Sequence, residues 1–493
     1  MKIKSLFILA IAACLLVATA GCSVPQAQVQ TTTGETGQNE DTFEKLPGVL
    51  ELDKTSGPVL TQVQLHGSNL TPNVPAKIVW NTVEGHYELK NVHQFVKINY
   101  TEKQVELATA DVDETGQLTA AITVPEDFGG DHDILVYQND KLVAKTNFFV
   151  ETTFTIDSTE GPIGSWITIK GQGIGWRNYE NIWHVLYDNK YTGMITAVST
   201  NGTAEAKIRA AGPVGKHSII VESGGGGMTY MNIEQSPFPY LTTHRFEYMV
   251  TDEPPAELTY VTALPEQAAG GGTKMPEPQN APGVTVSLSK DAGTVNETIA
   301  LTAEGLPKNK EIAVVWHTME GNRVKSGYAE ATRDLGRGVT DENGTLHFTF
   351  QVPDDLGGLP HLIDLVADGE IVGQTYFQLV PSIVGITPSS GPAGTEFTIE
   401  VKGIGWSEFD NLMNVVYDNA FLGYVCGFNS QGTVKIKMTA TGEPGYHLID
   451  LYPGIYKGES QFPSIYLRPQ LTYEKDHPGS RIPSIHLVFE ITE

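Results

Sequence analysis

Two stretches of this chain carry nearly the same text. "GIGWRNYENIWHVLYDNKYTG" begins at Gly173 and "GIGWSEFDNLMNVVYDNAFLG" at Gly403, in register 230 residues apart. The match begins earlier, with "IDSTEGPIGSWITIKGQGIGW" from Ile156 against "ITPSSGPAGTEFTIEVKGIGW" from Ile386, and runs on to His217 and His447. The segments ahead of these also pair: "IVWNTVEG" from Ile78 answers "VVWHTMEG" from Val314, and "VPEDFGG" from Val124 answers "VPDDLGG" from Val352. A two-module unit is therefore repeated whole, in the order A-B-linker-A-B, and any fold assigned to one module must be built twice.

Within each module the hydrophobic period is two. Val63 and Leu65, Ile167 and Ile169, and Phe397, Ile399 and Val401 alternate with polar neighbours, which is the pattern of half-buried antiparallel strands. No stretch after the amino-terminal segment keeps helical spacing. "DETG" at Asp113, "DENG" at Asp341, "TNG" at Thr200 and "SQG" at Ser430 supply turns that need a positive backbone dihedral. Each module then closes on a histidine followed by alternating aliphatics: His132, His217, His361 and His447. The expected fold class is all-β, with four tandem immunoglobulin-like β-sandwich domains. The expected spans are A1 over 46–150, B1 over 151–250, a Pro/Gly-rich linker over 251–283, A2 over 284–381 and B2 over 382–493. Because each half would hold two complete cores, each is expected to fold by itself, and the whole to be rod-like.

The first 21 residues read as an export signal. Lys2 and Lys4 precede an apolar run from Leu6 to Ala18, which is too short for a permanent membrane span. "TAGC" then resembles a bacterial lipobox, with Thr19 where leucine is usual. That resemblance implies cleavage before Cys22 and acylation of Cys22; an ordinary secretory signal is the alternative. Residues 22–45 are polar and rich in Thr, Gln and Gly, the composition of a flexible tether. With Cys14 leaving in the signal and Cys22 lipidated, Cys426 alone remains, so the mature chain has no intramolecular disulfide to draw on. The expected location is the outer face of a cell membrane.

Net charge is −26, with 58 acidic against 32 basic side chains. Such a chain is repelled by nucleic acid and by anionic lipid surfaces, so no nucleic-acid partner is expected. No GxSxG, HExxH or nucleophile-base set stands out, so no catalytic residues and no enzyme activity are expected. Neither the four closing histidines, one per module, nor the acidic turns at Asp111, Asp113 and Glu114 and at Asp341 and Glu342 have metal-site spacing. No metal or cofactor is expected. The glycine run Gly224 to Gly227 lacks the lysine and following helix of a phosphate-binding loop.

The B modules resemble IPT/TIG domains, on "GPIGSWITIKGQGIGW" and "GPAGTEFTIEVKGIGW". The A modules look like generic bacterial immunoglobulin-like repeats, with Trp80 and Trp316 where such cores often place a tryptophan. The resemblance implies a fold and a class of roles, in surface adhesins and glycan-binding lipoproteins, but no reaction. The expected function is a non-catalytic, lipid-anchored surface module for adhesion, binding or structure. The alternative is a glycan-binding accessory to extracellular polysaccharide processing. The candidate recognition residues are Trp176, Tyr179, Trp183, Trp406 and Phe409, aromatic groups suited to stacking on sugar rings or anchoring a surface protein. The bland alternative for the repeated Tyr-Asp-Asn triplets, Tyr187–Asn189 and Tyr417–Asn419, is hairpin geometry alone.

Overall fold

The computed structural model describes residues 46–224, 228–236, 238, 240–255, 257–266, 273–322, 327–455 and 467–493. The expected signal, the tether and Cys22 lie outside them. Residues 46–493 form one compact unit, built of strands with two short 3-10 turns at Ile233–Gln235 and Phe428–Ser430 and no α-helix among the described residues.

Four β-sandwiches follow one another, A1, B1, A2 and B2. In A1 a three-stranded sheet, Val49–Leu52, Gln62–Ser68 and Leu118–Thr123, faces a five-stranded sheet. The latter runs Ser56–Gly57, Lys141–Val150, Gly130–Gln138, Ala76–Lys90 and Gln94–Ala110, with the short first strand parallel to its neighbour. B1 and A2 repeat this three-on-five plan, and B2 sets three strands against six, the sixth being Tyr260–Val261. Period two is visible directly in A1, where Val63, Leu65, Leu118, Ala120 and Ile122 point inward and their neighbours outward. Trp80 and Trp316 are fully buried in the cores of A1 and A2.

The alternation fails where it is most informative. Every residue of Trp183–Tyr187 in B1 and of Leu412–Tyr417 in B2 is buried. A strand buried on both faces needs cover on both sides, and here the two B sandwiches cover each other. Val416, Leu448, Tyr452 and Leu471 of B2 belong to the hydrophobic cluster of B1. The B1 edge strand Lys190–Ile195 meets the B2 segment around Pro469, with Met194 N donating to Pro469 O and Leu471 N to Met194 O.

Inside this contact sits an ion pair. Arg209, at the end of strand Ala204–Arg209, is 0% exposed and holds the Asp450 carboxylate at 2.7 Å. It also donates to the Leu258 and Leu487 carbonyls, both at 2.9 Å. His486 Nδ1 lies 2.6 Å from the same Asp450 oxygen. Burial by itself would raise the Asp450 carboxyl, but Arg209 and His486 hold it below the ordinary value.

Two expectations are corrected by this contact. The B sandwiches are not strung end to end as a rod would require, and the halves are not separate cores, because one half supplies Arg209 and the other its counter-ion. The segment 251–283 also does more than link: Leu258 is buried in the B1 cluster, and Tyr260–Val261 adds an edge strand antiparallel to Ile485–Ile491 of B2.

The A1 hairpin Ala76–Lys90/Gln94–Ala110 fastens the halves a second time. Its far end reaches B2, where Phe95 N donates to Glu408 Oε2 at 2.8 Å and Glu408 N donates to His93 O at 3.1 Å. Tyr87, Phe95, Val198, Leu359, Phe409 and Ile455 close a cluster contributed by all four sandwiches.

Removing one member of a buried pair leaves the other charge uncompensated, at a cost of about 3–5 kcal/mol. Arg209→Met and Asp450→Leu should each lower stability by that much in urea unfolding. The double variant should lose clearly less than the sum of the two. Additive losses would show that the pair does not couple the halves.

Candidate functional site: the repeated motifs and the groove they build

The repeated text has two structural uses, and each is realised in both copies. The first is the A–B junction. Gly129 of "VPEDFGG" donates its N–H to Ile174 O at 3.1 Å, and Ile174 N donates to Gly202 O at 3.0 Å. In the second copy Gly357 N reaches Ile404 O and Ile404 N reaches Gly432 O, both at 3.0 Å. A Cβ on Gly129 would lie 1.8 Å from Gly173 O, and one on Gly357 would lie 1.9 Å from Gly403 O. Backbone therefore touches backbone at each junction, and no side chain fits between. The neighbouring aspartates fix the same corner: Trp80 Nε1 donates to Asp127 Oδ2 at 2.8 Å, and Trp316 Nε1 to Asp355 Oδ2 at 2.9 Å.

The closing histidines His132 and His361 stack on these tryptophans, with ring centroids 4.5 and 4.2 Å apart, and burial holds both below their ordinary pKa. Each is enclosed by backbone carbonyls, Phe128 and Asn81 for the first, Leu356 and His317 for the second. They are wall elements of the junction.

The second use is the Tyr-Asp-Asn hairpin. Asp188 and Asn189 have φ of 50° and 62°, and Asp418 and Asn419 have 46° and 60°, the left-handed pair that a two-residue hairpin requires. Tyr187 Oη donates to Ala211 O and Tyr417 Oη to Thr441 O, tying a neighbouring loop to each hairpin. Asp188 Oδ2 lies 2.6 Å from His217 Nδ1, and Asp418 Oδ2 lies 2.6 Å from His447 Nδ1. Hairpin geometry thus accounts for the triplets. Asn419 adds a contact that its twin lacks, since its Nδ2 donates to Arg209 O and its own carbonyl accepts from Thr192 Oγ1 across the B1–B2 contact.

Clasping brings the two hairpins together. A groove of about 850 Å³ lies between the B sandwiches and is lined by matched residues from both copies: Tyr187 and Tyr417, Asp188 and Asp418, Gly212 and Gly442. Asp252, Glu253 and Glu443 add carboxylates, and Lys190 is on the same wall. Val214, Leu422 and Tyr446 stand exposed along it. Its size is within the roughly 300–1,000 Å³ of ligand-binding clefts.

The five aromatic candidates do not form one platform. Trp183 and Phe409 are 0% exposed and belong to hydrophobic clusters, so neither can touch a ligand. Trp176 and Trp406 are half-buried. Trp176 packs on Phe128 and His132 of A1 and beneath the Arg177 guanidinium, while Trp406 packs on His93 of the A1 arm. Tyr179 alone is exposed, at 46%, with a positive φ of 74°. Its ring stacks on Phe238 at 4.7 Å, and Phe238 meets Tyr240 edge-on at 6.0 Å. Phe238 and Tyr240 were missed in the sequence because they lie among prolines with no strand period to mark them. The arm was missed too, although its signal was present: the interval from "VW" to "VP" is eight residues longer in the first copy. Asp113 and Asp341 serve their own turns, accepting from the N–H groups of Thr115 and Gln117 and of Asn343 and Thr345.

No protein-family model matches the chain, and no curated protein does. Among solved structures, a tetra-tandem repeat from the extending region of a large adhesion protein is 9% identical, over 90% of this chain and 99% of that one, with a TM-score of 0.18. A Corynebacterium diphtheriae protein described as membrane anchored is 10% identical over 67% and 91%, with a TM-score of 0.17. The N-terminal eight Ig domains of Down Syndrome Cell Adhesion Molecule are 11% identical over 91% and 48%, with a TM-score of 0.15. Scores of this size carry no functional inference.

Two outcomes follow from the motif geometry. Gly129→Ala forces a backbone shift at the A1–B1 junction and should cost about 1–3 kcal/mol, the usual range for overpacking. Thermal melting checks it, with Gly369→Ala, which is strained only by its own φ of 86° and meets nothing, as the comparison. The second concerns His447, whose pKa is raised above its ordinary 6.5, chiefly by the hydrogen bond to Asp418. A raised folded value means that the pairing stabilises fully below about pH 6.5 and fades as pH climbs through the folded value. His447→Gln should therefore fall furthest behind the parent protein at pH 5 and least at pH 9. A gap independent of pH would exclude the charged pairing.

Proposed function

We propose that this is a non-catalytic binding or structural protein of the outer cell surface, held at the membrane by a lipid on Cys22. The observation that carries the binding role is the shared groove, whose walls come from the same motif in both copies and are held in place by the A–B junctions and the B1–B2 clasp. Rigid walls lose little entropy on binding, so a preformed groove favours recognition over catalysis by moving parts. The anchor rests on the sequence: a basic start, an apolar run of signal length and "TAGC". Cys22→Ala should leave the protein uncleaved or released into the medium when cells are fractionated. Mature protein held in membranes at the parent level would overturn the anchor.

A second reading, glycan binding in support of polysaccharide processing, is favoured by Tyr179. A bulky aromatic held at positive φ costs about 1–3 kcal/mol, and such strain gathers at functional sites. At the equivalent position Phe409 is buried, so the first copy alone presents the ring. Tyr179→Gly removes the ring and suits the backbone. It should melt no lower than the parent while losing retention on purified cell-wall polysaccharide; unchanged retention would eliminate this reading.

A further inference from the structure

The groove between the B sandwiches carries more charge than its hairpins account for. Five carboxylates line it, from Asp188, Asp252, Glu253, Asp418 and Glu443. Two of them are committed to the hairpins: Asp188 accepts from Ser218 N and faces His217 Nδ1, and Asp418 accepts from Leu448 N and faces His447 Nδ1. Asp252, Glu253 and Glu443 are exposed and have no ion pair or side-chain hydrogen bond among the described residues. Asp252 and Glu253 follow strand His244–Thr251 on the B1 wall, and Glu443 sits in the turn before Gly445–Gly454 on the B2 wall. Unmatched negative charge therefore stands on both walls, against Lys190 as the one lysine or arginine of the lining.

Exposed carboxylates alone are ordinary in a chain of net charge −26. These differ in their setting, a cleft of about 850 Å³ along which Val214, Leu422 and Tyr446 stay 61%, 59% and 41% exposed. Large apolar side chains left open together mark interaction sites. Hairpin geometry, which both copies share, does not require them, because the positions equivalent to Val214, Leu422, Glu443 and Tyr446 hold Pro444, Thr192, Pro213 and Lys216. Among the described residues no three acidic, histidine or cysteine side chains are grouped to hold a metal ion, so the carboxylates are spaced for something longer than an ion. Separated negative charges with apolar groups among them suit an extended chain, whose successive side chains point to opposite sides.

We propose that the groove binds a short extended peptide segment of a partner protein, rich in lysine or arginine alternating with aliphatic residues. Its cations lie beside Asp252, Glu253 and Glu443, and its aliphatic side chains lie against Val214, Leu422 and Tyr446. Opposite charge on groove and segment speeds their encounter and rejects acidic competitors. A volume near the top of the roughly 300–1,000 Å³ of ligand clefts suits a segment of chain better than a folded face. The assignment rests on the reading of this groove as the binding site, and is independent of the lipid anchor and of Tyr179.

Titration of fluorescein-labelled acetyl-Lys-Leu-Arg-Leu-Lys-amide into the full-length protein in detergent, read by fluorescence anisotropy, tests it. The basic peptide should bind saturably, and the matching Glu-Leu-Glu-Leu-Glu and Ser-Leu-Ser-Leu-Ser peptides about tenfold more weakly or worse. Glu253→Gln/Glu443→Gln should weaken the basic peptide about fivefold, two exposed charge contacts having gone, and Leu422→Ser should also weaken it. Glu102→Gln/Glu114→Gln makes the same charge change at exposed carboxylates of A1 and should leave binding unchanged. All five positions are exposed, so each variant should melt with the parent. Equal weakening in the two double variants would reduce the effect to the overall charge of the chain and overturn the proposal. Spermine displacing the labelled peptide as well as unlabelled peptide does would make the occupant a small polyamine and overturn it too. Binding of the uncharged or acidic peptide in place of the basic one, lost in Leu422→Ser, would keep the groove as a binding site and defeat the basic class alone. Flat titrations with every peptide would sink the groove reading as well.

Discussion

The ion pair between Arg209 and Asp450 organises the rest of the molecule. A guanidinium without solvent is tolerable only with its charge matched, and here the match comes from more than two hundred residues away in sequence, with Leu258 O and Leu487 O accepting from its terminal N–H groups and His486 held on the same carboxylate. Once Arg209 is committed, B1 and B2 cannot drift apart without exposing a charge in an apolar contact. Tyr260–Val261 is drawn onto the B2 sheet, and the two Tyr-Asp-Asn hairpins are brought to the rims of one groove.

The glycine contacts then transmit that order outward. Because Gly129 meets Gly173 and Gly357 meets Gly403 backbone to backbone, each A sandwich is set against its B partner at a fixed place. Short-range contact of this kind admits no alternative packing, since interiors are close-packed and do not deform continuously. The A1 arm crosses to B2 at His93 and Phe95, so the second half is held both at its own junction and by the first half's hairpin.

Much of the fold was legible. Alternation in "QVQLHGS" or "EFTIEVK" needs only one buried face, and both strands behave as expected. What sequence could not show was which outward faces meet another sandwich. Arg209 shares the parity of Glu205 and Lys207, which remain at the surface, so its position reads as solvated. Asp450 shares the parity of Leu448 and Tyr452, two residues that period two would equally place outside. The all-buried strands "WHVLY" and "LMNVVY" carried the only hint, an apolar run without polar alternation. The aromatic candidates failed for a related reason. A tryptophan after Gly-x-Gly marks a turn leaving a strand, and its exposure depends on the next sandwich, which no local pattern encodes.

The clasp uses equivalent regions of both copies and equips them differently. The equivalent strands Lys190–Ile195 and Ala420–Cys426 meet there, and the equivalent Tyr-Asp-Asn hairpins line one groove, so each module covers part of the other's copy of the surface. The ion pair inside the contact is not repeated: the position equivalent to Arg209 in B2 is Thr439, and the position equivalent to Asp450 in B1 is Ile220. Where the two sequences agree, the groove has matched walls; where they differ, the contact carries the desolvation of one such arginine–aspartate pair rather than two.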